Sequence, residues 1–239
     1  MGCREAGCHL YPPLPLISSS QGSQKLETKR EDEFLLEINK VHENHREEEE
    51  ECKTGGAWES LTVWRKSLLL NCRGGFTVID CNGNLIFRVD NYAGRRPEEV
   101  VLMDGSGKPV LTVCRRNKLK VLVDNWFVYE GEVGDYSSTK PICCARKRIT
   151  ILRPRVNVIA RIYHQPIDKR CAYTVEGKYG NRSCRVLDES RTVVAEIKPK
   201  ESVNYGASFG DEVFLLIVRP EFSLSFAMAV VLLLDQMFS

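Results

Sequence analysis

Residues 222–238, FSLSFAMAVVLLLDQMF, decide the fold. A helix on the surface of a globular protein carries a single apolar stripe. Here Leu224, Phe226, Met228, Val230, Val231, Leu232, Leu233 and Leu234 point in every direction round the axis, so this helix must be enclosed, by lipid or by protein. Length separates the two. The unbroken apolar core, Phe226 to Leu234, is roughly 14 Å long at ~1.5 Å per residue, against a bilayer hydrocarbon core of ~30 Å. The preceding apolar run, Val213 to Val218, cannot extend it, because Arg219, Pro220 and Glu221 interpose two charges and a helix breaker. The reading is a helix buried in protein, which requires a shell.

The shell is written upstream. From Ser67 onward the chain alternates with period two, in short apolar runs separated by turn residues. Phe76 to Ile79 leads through Asn82-Gly83-Asn84 into Leu85 to Val89, a hairpin in which Asn-Gly supplies the positive φ angles of a tight turn. Val100 to Met103 leads through Asp104-Gly105-Ser106-Gly107 into Val110 to Val113 in the same way. Further strands are expected at Leu119–Val123, Trp126–Tyr129, Ile142–Lys147, Val156–Tyr163, Cys171–Val175, Ser183–Leu187, Val193–Ile197 and Val213–Val218. So many strands with so little room for helices indicate a mainly β fold, an antiparallel barrel or sandwich. A closed barrel of about twelve strands is wide enough to need an apolar filling. The C-terminal helix provides it, with Arg88, Arg115, Lys118, Lys120, Arg146 and Arg148 facing solvent.

The formal charge of +2 conceals an asymmetry: residues 1–53 carry a net −5 and the remainder a net +7. Ser18, Ser19, Ser20, Gly22 and Ser23, followed by the mutually repelling Glu47 to Glu51, mark an acidic, disordered N-terminal tail over residues 1–56. A transient helix around Phe34, Leu35, Ile38 and Val41 falls within it. Met1-Gly2-Cys3 opens like an acylation signal, but Ala6 stands where Ser or Thr is usual. Residues 57–239 form the barrel domain. Pro12, Pro13 and Pro15 break the apolar stretch after Leu10, so no secretory leader is read there, and the ten cysteines are expected as free thiols in a reducing compartment. Cys72, Cys81, Cys114 and Cys171 read as small hydrophobes. Adjacent Cys143 and Cys144 face opposite sides of a strand.

The strings GGFTVIDCNGNLIFRVD (residues 74–90) and VVLMDGSGKPVLTV (residues 100–113), with the closing helix and its Leu233, Leu234 and Asp235, resemble the plant LURP-one-related family. Its members share the tubby C-terminal-like fold with phospholipid scramblases and Tubby proteins. The resemblance covers roughly residues 57–239. It implies twelve strands round a central hydrophobic helix and a non-enzymatic role, in a superfamily linked to membrane-tethered transcription factors and, for some members, to plant defence.

The residues themselves point away from catalysis. His164 is the one histidine of the barrel region, and no GxSxG, HExxH or P-loop occurs. Asp80, Asn82 and Asn84 imitate the start of a calcium loop, but Leu85 and Asn91 stand where that loop needs Gly and Glu, so a turn is read instead. No catalytic residue, cofactor or metal is expected. Two basic clusters, Arg115, Arg116, Lys118 and Lys120, and Arg146 with Arg148, form the candidate binding face for an anionic phospholipid or phosphoinositide. A protein partner is the other candidate. Direct nucleic-acid contact is not expected, because the one confident helix is buried. The expectation is a cytoplasmic monomer, peripheral at a membrane or nuclear; the alternative, a scramblase-like membrane protein, requires the terminal helix to enter the bilayer.

Overall fold

The computed structural model describes residues 58–67, 75–90, 98–116, 124–134, 136, 138–148, 157–200 and 210–238. The expected acidic tail, the helix around Phe34 to Val41 and the strand expected at Leu119–Val123 lie outside them.

Among the described residues twelve strands precede one α-helix: β1 (Glu59–Trp64), β2 (Gly75–Ile79), β3 (Leu85–Asp90), β4 (Glu99–Asp104), β5 (Pro109–Arg116), β6 (Asn125–Glu130), β7 (Cys143–Lys147), β8 (Val158–Tyr163), β9 (Tyr173–Lys178), β10 (Ser183–Leu187), β11 (Val193–Pro199), β12 (Val213–Val218) and α1 (Leu224–Phe238). Each strand pairs antiparallel with its neighbours in sequence, and β1 closes the ring on β12, from Glu59 opposite Val218 to Trp64 opposite Val213. The fold is thus a closed barrel and not a sandwich. β1 is not among the strands expected from the sequence, where the period-two pattern is read from Ser67 onward. Its Leu61 and Val63 nevertheless alternate inward and are buried, so the signal was present in ESLTVW. With β1 at one seam, closure leaves no free sheet edge among these strands, the exposure that open sheets must otherwise guard.

Three hairpins share one turn. Asp80, Asp104 and Asp188 each accept the amide of the residue three positions on, Gly83 at 3.1 Å, Gly107 at 3.0 Å and Arg191 at 3.1 Å. Each carboxylate then binds the amide of the residue four positions on, Asn84, Lys108 and Thr192, at 2.8 to 2.9 Å. The third loop residue is left-handed in every case, with φ of 81° at Gly83, 89° at Gly107 and 65° at Arg191. The register shifts by one residue beside each turn. This is the three-residue hairpin, a type I turn closed by a bulge, with one left-handed position. The positive φ angles expected of Asn82 and Gly83 together are corrected accordingly: only the glycine has positive φ, and the Asp80 carboxylate organises the residues before it.

Inward residues of every strand share one apolar cluster with α1. Leu61, Val78, Val113, Val128, Ala145, Val175, Ile197 and Phe214 belong to one apolar cluster with Ala227 through Leu234, all eight of which are buried. Fifteen helical residues span about 22 Å, enough to plug the lumen end to end. The helix starts after Ser223, whose carbonyl accepts the Ala227 amide at 2.8 Å. At this mouth Tyr173, Phe222 and Phe226 stack with ring centroids 5.3 to 5.6 Å apart. At the other mouth Lys147, on the inner face of β7, donates from Nζ to the Met237 carbonyl at 2.5 Å and lies 4.3 Å from the Phe238 ring. A cation there satisfies a terminal carbonyl and opposes the negative end of the helix dipole. Asp235, the helix's only charge, pairs with Arg65 at 3.1 Å just beyond β1.

The enclosure yields two expected outcomes. Leu232→Ala loses about 2–5 kcal/mol in denaturant unfolding, and Val230→Asp abolishes the cooperative transition, because an unpaired buried charge consumes most of a total stability of about 5–15 kcal/mol. In the turns, burial pushes the Asp80 carboxyl up, but its hydrogen bonds to Asn84 and Asn82 outweigh that and hold it below the ordinary value; at Asp104 the Ser106 hydroxyl and Lys108 amide do the same. Carboxyls depressed on folding contribute stability that is present above their unfolded value near 3.8 and lost as the pH falls toward the folded value. An acid titration of unfolding midpoints is expected to show a shallower decline for Asp80→Ala/Asp104→Ala than for the parent.

Candidate binding face

Strand alternation and register sort the basic residues of β5 to β8. Arg116 lies opposite Asn125, Asn125 opposite Arg146, and Arg146 opposite Arg161. Directly opposed residues share a face, and the next row along, Arg115, Trp126, Ala145 and Ile162, holds three side chains of the core. The arginine row therefore faces outward, crossing four strands spaced about 4.8 Å apart. Sequence spacing had joined Arg115 and Arg116 in one cluster. The structure separates them: Arg115 occupies the inner register at the mouth, pairs with Asp124 at 2.5 Å and lies 5.6 Å from the Trp126 ring. Lys118 and Lys120 lie outside the described residues. Arg148 follows β7, half-buried, its amide donating to the Ile159 carbonyl at 2.9 Å. Arg88, expected in solvent, is largely covered and sits 3.2 Å from the buried Asp90 carboxylate, out of line for a hydrogen bond.

Aromatic rings hold the row. The Arg116 guanidinium lies 4.4 Å from the Tyr136 ring and 5.7 Å from that of Tyr129, and these two rings meet edge to face at 5.0 Å. With Cys114, Phe127 and Val133 they form a small apolar cluster on the outside of the barrel. Arg146 donates from Nε to the Asn125 side-chain oxygen at 3.1 Å and from Nη2 to the Pro166 carbonyl at 2.5 Å, and lies 5.0 Å from the Tyr163 ring. Arg161 is exposed, and among the described residues its guanidinium has no hydrogen-bonded or ion-paired partner. Arg161 was missed by a search for basic runs along the chain. Its place between inward Ala160 and Ile162 was the available signal, since the row exists only across strands.

Burial raises the Cys114 thiol and the Tyr129 and Tyr136 phenols above their ordinary values, although Arg116 pulls the first two back. Burial, with some help from Cys144, pushes the Cys143 thiol up to about 12, and burial outweighs Arg182 to take Cys184 to about 12. The thiolate is the reactive form of cysteine, so these groups rest as protonated packing residues. Among the described residues no three His, Cys, Asp or Glu side chains converge as metal ligands. Among the described residues the six cysteines form no disulfide, and only Cys81 and Cys171 are partly exposed. In the native protein at neutral pH these two are expected to take up iodoacetamide, whereas Cys114, Cys143, Cys144 and Cys184 react after unfolding, as peptide mass mapping reads directly.

Comparison with known proteins follows the fold closely. The family model described as LURP-one-related matches residues 59–235. Protein LURP-one-related 17 of Arabidopsis thaliana is 47% identical over 192 residues, covering 77% of this chain and 86% of the relative. Protein LURP-one-related 8 of the same plant is 47% identical over 180 residues, covering 74% and 86%. An X-ray structure of an Arabidopsis thaliana protein superposes with a TM-score of 0.55 at 25% identity, over 77% of this chain and 94% of that one.

Proposed function

The chain belongs to the LURP-one-related family, and from that premise we propose that it acts by binding and not by catalysis, with an anionic membrane surface as the partner of its outer arginine row. The observation that carries this reading is the register Arg116–Asn125–Arg146–Arg161, which places three guanidinium groups on one outward face of adjacent strands. Guanidinium groups bind phosphate through paired charge-assisted hydrogen bonds. The neighbouring rings limit the freedom of Arg116 and Arg146 before any ligand arrives, which lowers the entropy cost of binding. A non-enzymatic role agrees with an exposed lone His164 in the barrel region, thiols held protonated by burial, and relatives whose names carry no enzymatic designation. A scramblase-like role would need α1 to leave the lumen. Among the described residues no helix is long and apolar enough to cross a membrane.

Vesicle flotation tests the proposal. Phosphatidylcholine vesicles containing phosphatidylserine or a phosphoinositide are expected to carry the protein at low salt and to release it as salt rises, since exposed charges are screened within about 10 Å at 0.1 M. Arg146→Gln/Arg161→Gln should weaken that flotation by roughly tenfold or more, at about 1 kcal/mol per basic residue near the surface. Equal and negligible flotation with neutral and anionic vesicles at low salt would remove the lipid reading.

A further inference from the structure

Three large apolar side chains stand exposed among the described residues, Ile142, Ile167 and Phe238. Two of them belong to one corner of the barrel. Ile142 precedes Cys144 by two residues, and Cys144 lies opposite Tyr163 at the end of β8, so Ile142 adjoins the start of the β8–β9 connection that carries Ile167. Ile167 is 85% exposed and Ile142 42%. A single exposed isoleucine is unremarkable on a protein surface, but this one is held out on a braced turn. Gln165-Pro166-Ile167-Asp168 closes with the Asp168 amide donating to the Gln165 carbonyl at 3.1 Å, and the Gln165 amide donating to the Asp168 carboxylate at 2.8 Å. Pro166 occupies the second position, where its fixed φ suits a type I turn. Arg146 binds the Pro166 carbonyl from the arginine row. The braced backbone therefore carries an aliphatic side chain at the tip, where turns usually carry polar residues or glycine.

The surroundings say what it faces. Lys169 and Arg170 follow the turn and are exposed, as are Lys140 beside Ile142 and Arg161 on β8, while Asp168 is the one acid of the turn and is occupied by the Gln165 amide. An exposed aliphatic tip set among solvent-facing cations matches an anionic lipid surface, with apolar area for the acyl boundary and positive charge for the phosphates. We propose that the β8–β9 turn is the membrane-inserting element of this protein, with Ile167 entering between head groups while Lys140, Arg161, Lys169 and Arg170 contact them. The inference rests on the anionic-membrane reading above and adds an orientation to it: the barrel stands on this corner, with α1 enclosed and out of the bilayer.

Flotation and fluorescence of the full chain separate the two statements. On phosphatidylcholine vesicles containing phosphatidylserine, Ile167→Ser is expected to bind about tenfold more weakly than the parent at every salt concentration, equivalent to about 1.4 kcal/mol. Lys169→Gln/Arg170→Gln should lose chiefly the salt-sensitive part. An Ile167→Trp variant, excited against the parent as reference for the three native tryptophans, should add emission that shifts to the blue on vesicles and is quenched by a bromine-labelled acyl chain. If the parent floats while Ile167→Ser binds equally well and the added tryptophan neither shifts nor is quenched, the inserting turn is refuted and the arginine row remains. If the parent ignores anionic vesicles, both readings fall. A partner protein that covers the turn and protects the added tryptophan without vesicles would also overturn it.

Discussion

An α-helix that is apolar on every side has to be surrounded, and that constraint governs the rest of this molecule. Ala227 to Leu234 bury all their faces, which a neighbouring sheet or helix pair could not achieve. A barrel can. Twelve strands give a lumen too wide for strand side chains alone, and the helix occupies what would otherwise be an apolar void whose lining forfeits its contacts. Each part thus needs the other: without α1 the inner face of the barrel is unpacked, and without the barrel α1 is insoluble. The helix ends show where the arrangement meets water. The terminal carbonyl goes to Lys147, the single charge to Arg65, and the first turn begins among aromatic rings.

Filling the lumen has a consequence for function. Among the described residues the inward strand positions are packed in one cluster with the helix, so the positions open to a partner are the outward ones, which alternate along each strand. On β5 to β8 those residues include the row Arg116, Asn125, Arg146 and Arg161 and, beside it, the row Cys114, Phe127, Cys144 and Tyr163. Arg146 links this face to the β8–β9 turn through the Pro166 carbonyl. The rigid barrel supplies the spacing, and the rings restrict the guanidinium groups without neutralising them.

The fold was legible from the sequence because its two strongest signals are local. Period-two runs bounded by Asp-x-x-Gly turns, and one uniformly apolar helix, survive without knowledge of partners. Trp58 to Trp64 was overlooked although Leu61 and Val63 alternate, since a strand at the seam is recognised by its partner, β12, and that lies some 150 residues away. The candidate face was less legible for the same reason. Arg115 and Arg116 are adjacent in the chain and separated by the pleat, whereas Arg116, Arg146 and Arg161 are distant in the chain and joined by register. Charge runs along a sequence therefore mislead in a barrel, where neighbours on one face lie across strands. The Asp80 segment was read as a hairpin turn and forms one, although the left-handed residue proved to be Gly83 alone.

Native-state hydrogen exchange tests the central dependence most directly. If α1 and the barrel are one cooperative unit, the amides of Val230 to Leu234 exchange only through global unfolding, with the same free energy and denaturant dependence as the central amides of β5, β11 and β12. Exchange of those helix amides at a distinctly lower free energy, with the strands still protected, would show that the helix leaves a barrel that stands without it, and would contradict the account.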